Sequence, residues 1–459
     1  MQEFITLILA AGAGTRMKSS LAKVAHPLCG RPMVSYVIQA AEQAGSQKTL
    51  IVLGHGAQDV KACLPESADY VLQKEQLGTG HAVMQARDLM KDRTGTVLVL
   101  CGDTPLISGL TLKKAWEYHQ KQQNAITVLT ARVDNPFGYG RIIRDDEENI
   151  LGIVEEKDAQ QDQKKIQEIN SGMYFFDIQS LLKALDRLTN SNQQGEYYLT
   201  DTLKLIKASG EKAGAYLLPD SGDILGVNDR VQLAQAEKIM NKRIIEGHMR
   251  NGVTFHLPET TLVGAQVKIG SDTVIYPGTL LEGNVAIGEG CTIGPDSRIV
   301  DTRIGDHVHV VKSVVTGSQV DEGTKIGPFA YLRPGSRIGK HIKIGDFVEI
   351  KNAVIGDESK ISHLTYVGDA DVGKNVNLGC GVVVSNYDGV KKHRTTVGDN
   401  VFVGCNVNLV APVTVKSNSY IAAGSTITEE VPENALAIAR SRQTVIEDWV
   451  VKKGLLKNK

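Results

Sequence analysis

A chain of 459 residues is long enough for two or three domains with complete cores. Its 51 Lys and Arg against 52 Asp and Glu leave a net charge of −1, so neither nucleic acid nor an anionic membrane surface is expected as a partner. The six cysteines (Cys29, Cys63, Cys101, Cys291, Cys380 and Cys405) form no CxxC pair, which suits free thiols in a reducing cytoplasm better than a disulfide frame or a zinc site. Residues 4–11 are apolar without a preceding basic flank and read as a buried strand. No run reaches membrane-spanning length, and no membrane insertion is expected.

Residues 1–227 alternate strand-like and helical stretches. Strands are expected at 4–11, 49–54, 70–73, 96–100, 126–133 and 173–176, and helices at 33–44, 81–90, 111–122, 180–188 and 198–208. This alternation implies a mostly parallel α/β sheet with ligands at the carboxyl ends of its strands. The first strand runs into Gly12-Ala13-Gly14-Thr15-Arg16-Met17, with Lys23 beyond. The stretch lacks the third glycine of a dinucleotide fingerprint and the Gly-Lys pair of a Walker loop. Its glycines still let backbone N–H groups approach a phosphate, and Arg16 and Lys23 add positive charge.

Residues 229–249 read as one helix, capped by Asn228 or Asp229 and followed by Gly252, with Leu233, Ala236, Ile239, Met240 and Ile244 as its apolar stripe. From Val263 to Ile427 an aliphatic residue recurs every six positions, as in Val263, Ile269, Ile275, Leu281 and Ile287, and the next residue is often Gly. With a small or β-branched residue two places earlier, each run turns two side chains to one face. Three runs close a coil of about eighteen residues, giving roughly nine stacked coils that bury one another's aliphatics. Polar residues interrupt the pattern at Arg333, at Glu349 and Lys351, from His363 to Asp369, and from Asn375 to Asn377. An insertion opens at Asn386-Tyr387-Asp388-Gly389 and closes near Thr396, as a binding loop on one face would. Residues 444–453 read as a short helix before a basic tip of Lys452, Lys453, Lys457 and Lys459.

Several segments now fall in order: Leu9 to Met17, Gly54-His55-Gly56, Glu75 to Ala82, Cys101-Gly102-Asp103, Gly138-Tyr139-Gly140-Arg141-Ile142, Ile153-Val154-Glu155, Ile169-Asn170-Ser171-Gly172, Gly195 to Asp201, and Gly226-Val227-Asn228. Followed by the hexapeptide array, they resemble the bacterial bifunctional N-acetylglucosamine-1-phosphate uridyltransferase / glucosamine-1-phosphate N-acetyltransferase family over essentially the whole chain. The resemblance implies a Rossmann-like nucleotidyltransferase domain (1–228), a linker helix (229–250) and a left-handed parallel β-helix with a C-terminal tail (251–459).

For the first domain it implies transfer of uridylate from UTP to N-acetylglucosamine 1-phosphate, with Mg²⁺ on Asp103 and Asn228. Leu9, Ala10, Ala11, Gly12, Gln73, Gly78 and Thr79 would hold the uridine, Gly140, Glu155 and Asn170 the sugar, and Arg16 and Lys23 the triphosphate. For the second domain it implies acetylation of glucosamine 1-phosphate by acetyl-CoA, with His363 as proton acceptor. Arg333, Lys351, Tyr366 and Asn377 would bind the sugar phosphate, and Asn386, Tyr387, Ala423 and Arg440 would lie around acetyl-CoA. Cys380 and Cys405 depart from the Ala or Ser usual beside the acetyl donor, and inert packing is expected of both. The family assembles as a homotrimer. A single-activity nucleotidyltransferase with a structural solenoid would need no polar cluster in the array, which His363 to Tyr366 contradicts. A non-catalytic assembly subunit would have lost Arg16, Lys23, Asp103 and Asn228, and all are present.

Overall fold

The computed structural model describes residues 4–66 and 68–455, so Lys457 and Lys459 of the basic tip lie outside the described residues. Contacts divide the chain into two compact units, Met1–Asn241 and Lys242–Lys459. The division falls inside the long helix Arg230–Arg250.

The first unit is built on β1 (Phe4–Ala10), buried along nearly its whole length. A short hairpin, β2 (Pro27–Leu28) and β3 (Arg31–Pro32), precedes β4 (Thr49–Leu53), β5 (Asp69–Leu72), β6 (Thr96–Cys101) and β7 (Ile126–Arg132). Then come β8 (Arg141–Arg144), β9 (Ile150–Val154), β10 (Glu168–Asp177) and β11 (Ala213–Leu217). The sheet runs β11-β7-β10-β6-β1-β4-β5, with β8 and β9 attached through β10. The near-continuous aliphatic runs of β1, β4 and β6 are those of strands covered on both faces, and β1 pairs with both neighbours in parallel.

Two expectations need correction. β10 is antiparallel to β6 and β7, because the path from β7 to β10 carries no α-helix to bring the chain back in parallel. It also begins at Glu168, five residues before the expected strand, and so includes Asn170. The expected helix at 81–90 is two short ones, α3 (Thr79–Met84) and α4 (Arg87–Met90). The other expected helices are present as α1 (Met33–Gln43), α5 (Gly109–Gln122), α6 (Ile178–Leu185) and α7 (Asp201–Ala208), with α2 (Ala57–Ala62) unforeseen.

α8 is the helix Arg230–Arg250, and its first cap is Asp229, whose carboxylate accepts from Gln232 N at 2.9 Å. Gly252 follows it at φ +89°.

In the second unit three parallel sheets of 11, 10 and 9 strands make a triangular parallel β-helix. Its rungs stack in register, for example Val310 on Ile326, Ile326 on Ile344 and Ile344 on Ile361. Each buried aliphatic is worth about 1.5–3 kcal/mol against solvent, which only the next coil can supply. The coils start at Thr254–Phe255 and end at Leu436–Ala437, beyond both limits of the repeat pattern. Between Ile299 and Ile326 some rungs shorten to five residues, yet Ile304, Val310, Val315 and Val320 remain buried. The terminal helix, α9 (Trp449–Lys452), is shorter than expected. Among the described residues no helix is long and apolar enough to cross a membrane.

Candidate active sites

At the carboxyl ends of β1, β5 and β6 the first unit opens a cleft lined by Leu9, Ala10, Ala11, Gly12, Lys23, Gln73, Gly78, Thr79 and Asp103, all named from the sequence. Val24, Gln76, Ala82, Cys101 and Glu196 complete it. Gln76 donates to Ala11 O at 3.0 Å and Gln73 to Gly78 O at 3.2 Å, which joins the loops after β1 and β5. Burial pushes the Cys101 thiol up to about 12, so it lines the cleft as a neutral group.

One cationic point organises the polar side of this cleft. The Lys23 ammonium contacts Asp103 Oδ2 and lies 3.2 Å from Asn228 Oδ1, and Arg16 donates to the same Asn228 oxygen at 2.9 Å. One carboxylate and one neutral oxygen therefore face a single position that already favours positive charge. Among the described residues no three His, Cys, Asp or Glu side chains form a metal cage. A hard divalent ion fits this pair if it draws its other oxygens from phosphate and water.

Gly140, Glu155 and Asn170 are gathered beside this cleft, not in its lining. Asn170 N donates to Gly140 O at 2.8 Å, and a Cβ on Gly140 would sit 3.4 Å from both Glu155 carboxylate oxygens. Burial raises the Glu155 carboxyl, opposed by the Thr200 hydroxyl that donates to it at 3.3 Å. Asn170 donates to the buried Tyr174 hydroxyl at 2.7 Å, which fixes its amide.

In the second unit His363 stands at a corner of the prism, directly over Asp346 of the preceding coil. Its Nδ1 is 2.6 Å from Asp346 Oδ1, and this hydrogen bond holds the Asp346 carboxyl below the usual range. An ionised carboxylate only accepts, so Nδ1 carries the proton in this bond, and Nε2 is the ring nitrogen left for another partner. The same corner continues upward: Gly381 N donates to His363 O, Asn406 N to Cys380 O and Gly424 N to Cys405 O. Cys380, Cys405 and Ala423 thus follow His363 in successive coils, and Arg440 approaches Gly424.

On the sheet that follows this corner, Tyr331, Glu349 and Tyr366 stack in register. Arg333 pairs with Glu349 at 2.8 Å. Asp369 is a buried hub, receiving Asn352 at 2.6 Å, the Asn386 amide, and the Lys351 ammonium at 3.4 Å. Burial pushes its carboxyl up, but those partners more than offset that and leave it below the usual range. Asn377 lies across the corner, in register with Lys360 and Phe402. Tyr387 is exposed, and its hydroxyl closes onto Gly389 O at 2.7 Å.

Three residues here escaped sequence reasoning. Lys392, at the far side of the insertion, meets the Lys351 side chain, and that contact first, then the Lys351 and Arg333 charges, lowers its ammonium. Asp346 is another, and Asp369, which ends the polar stretch already marked in the sequence, was given no role there. The only signal for Asp346 was its position seventeen residues before His363, about one coil.

Comparison with known proteins covers the whole chain. The nucleotidyl transferase family model matches residues 5–234, the bacterial transferase hexapeptide (six repeats) model 266–300, and the GMPPB C-terminal domain model 314–434. The chain is 56% identical over 457 residues to Bifunctional protein GlmU of Acetivibrio thermocellus, covering 100% of this chain and 99% of that protein. Its identity to Bifunctional protein GlmU of Caldanaerobacter subterraneus subsp. tengcongensis is 57% over 459 residues, 99% of this chain and 100% of that one. The protein of the same name from Thermoanaerobacter pseudethanolicus is 56% identical over 459 residues, with the same coverage.

Proposed function

The chain belongs to the bifunctional GlmU family, and from that premise we propose that it makes UDP-N-acetylglucosamine in two steps at two sites. The working division is a uridyltransferase domain (1–228), a linker helix (229–250) and an acetyltransferase β-helix with its tail (251–459). The protein acts as a cytoplasmic homotrimer on UTP, acetyl-CoA and the two sugar phosphates.

In the acetyl transfer, His363 Nε2 takes a proton from the glucosamine nitrogen as that nitrogen attacks the acetyl thioester carbon. The carbon–sulfur bond breaks and coenzyme A leaves as the thiol after protonation. Asp346 keeps the imidazole in the required tautomer and stabilises its cationic form. Arg333, Lys351 and Lys392 hold the 1-phosphate, Tyr366 and Asn377 the sugar, and the column Cys380, Cys405, Ala423 and Arg440 borders acetyl-CoA with Asn386 and Tyr387. The corner also carries an exposed apolar ladder, Phe329, Phe347 and Leu364, whose two rings stack at 5.4 Å, a surface suited to a second copy.

In the uridylyl transfer, a phosphate oxygen of N-acetylglucosamine 1-phosphate attacks the α-phosphorus of UTP, and pyrophosphate departs. No protein nucleophile is needed, so catalysis lies in alignment and in offsetting charge. Arg16 and Lys23 offset the triphosphate, and the cleft lining holds the uridine. Asp103 and Asn228 would hold Mg²⁺, which when bound neutralises phosphate oxygens.

The observation that carries this reading is that each unit keeps a complete polar apparatus of its own: Lys23, Asp103 and Asn228 in one, and Asp346, His363 and the Arg333–Lys351–Lys392 cations in the other. Asp103→Ala should abolish pyrophosphate release and spare acetylation, and His363→Ala should do the reverse. If both folded variants lose both activities, the two-site assignment fails.

A further inference from the structure

Arg141 is 1% exposed, on the rung of β8 that lies between β9 and β10. Its guanidinium donates to Tyr139 O, to Glu156 Oε2 at 2.7 Å and to Lys164 O at 3.5 Å. Glu156 in turn accepts from Gly138 N at 3.2 Å. The Arg141 Nε has no partner among the described residues. Taking a guanidinium out of water is costly, and an apolar side chain of similar volume generally stabilises a core at least as well. Packing alone therefore does not account for Arg at this position.

The strand register supplies another reason. Arg141 pairs with Val154 on β9 and with Ile169 on β10. Gly140 immediately precedes Arg141, Glu155 follows Val154, and Asn170 follows Ile169. The three residues proposed to hold the sugar are thus each one residue from the same rung. The guanidinium ties together the chain segments that leave it, at Tyr139 on one side and at Glu156 and Lys164 on the other.

We infer that Arg141 is a positioning residue for the sugar-phosphate acceptor, fixing the mutual spacing of Gly140, Glu155 and Asn170 without touching substrate. The inference rests on the uridylyl-transfer reading above.

The test uses the full-length protein with Arg141→Met and Arg141→Lys, measuring KM separately for N-acetylglucosamine 1-phosphate and for UTP. Calorimetric UTP binding and the acetyl transfer rate serve as folding controls. Arg141→Met should raise the sugar-phosphate KM at least tenfold and leave that for UTP within twofold, and Arg141→Lys should recover part of the loss. Equal increases in both KM values, or no change in either, would overturn the inference and leave a purely structural arginine. Should Arg141→Met not fold, Arg141→Lys decides alone: an unchanged sugar-phosphate KM overturns the inference, and a selective rise supports it. A wild-type protein that binds UTP but never turns over the sugar phosphate would instead defeat the functional reading beneath it.

Discussion

Gly78 is the position where a single methyl group should do most damage to nucleotide binding. Its φ is +110°, outside the range that residues with a Cβ adopt readily. A Cβ there would stand 2.6 Å from Tyr197 O, 2.9 Å from Tyr197 N and 3.0 Å from the Glu196 Cβ. Two of these are backbone atoms, and both are already bonded: Tyr197 N donates to Leu77 O and Tyr197 O accepts from Gly80 N, each at 2.8 Å. No rotamer change relieves the clash. The backbone strain costs about 1–3 kcal/mol and the overpacking about 1–3 kcal/mol more. Gly78→Ala therefore carries about 2–6 kcal/mol, and the cheapest relief is displacement of residues 77–80 from the cleft. A loss of about 2 kcal/mol is roughly thirtyfold in affinity. Calorimetric titration of the variant with UTP should show a weakening of at least that size, with acetyl transfer unchanged. UTP affinity within twofold of wild type, with an unchanged melting temperature, would refute the reasoning.

The remaining expectations concern the base, the core and the ion. Asp346→Asn should lower the acetylation kcat by about a hundredfold, within the usual range for general-base catalysis, and leave uridylyl transfer intact; a change below threefold would mean that His363 needs no orienting carboxylate. His119 is buried against Trp116 and Phe175, and burial lowers its imidazole from the ordinary 6.5 to about 4. The unfolded chain binds a proton in that window and the folded one does not, so stability is lost as pH falls from about 6.5 to about 4, by about 3 kcal/mol at ~1.4 kcal/mol per unit. Urea titrations at pH 7 and pH 4.5 should show wild type losing more stability than His119→Phe at the lower pH, and an equal loss in both would rule the residue out. Chelation of divalent ions should stop pyrophosphate release while acetyl transfer continues; loss of both would remove the assignment of metal to Asp103 and Asn228 alone.

How far the sequence carried differs between the two units for a physical reason. In the prism every rung repeats an inward aliphatic, so Ile275, Ile293 and Ile344 announce their burial by spacing alone, and the hexapeptide solenoid followed from it, while its left hand came only from the family resemblance. In the α/β sheet β1 and β4 were visible because both faces are covered and the runs are apolar throughout. The hairpin of β8 and β9 was not: Arg141-Ile142-Ile143-Arg144 carries a charge at each end, and its first Arg is buried by partners far along the chain. The direction of β10 was equally hidden, since it depends on what lies between strands. The same limit applied at the sites. Glycines and loop residues such as Gly12 and Gly78 show in the sequence because the backbone path demands them. Asp346, Asp369 and Lys392 matter through register, and one insertion shifts that register by several residues.

On the proposed function, the two sites would handle phosphate differently because their backbones have different donors to spare. Around this site the coils commit their N–H groups to one another: Arg333 N donates to Ile350 O, Glu349 N to Thr365 O and Tyr366 N to Val382 O in the next coil, and Leu364 N to Asp346 O and Asp369 N to Lys351 O in the preceding one. An anion on that surface must then be held by side chains, which explains why cations converge there at all. Three of them without substrate would repel one another. Glu349 and Asp369 answer that repulsion by pairing with Arg333 and Lys351. Their pairing is also why the site is legible as a network and not as a motif. In the α/β unit the same task falls to a glycine-containing turn after β1, with Lys23 held between Asp103 and Asn228. There the resting cation and the proposed Mg²⁺ draw on the same two oxygens, so the geometry that stores Lys23 is the geometry that would receive the ion.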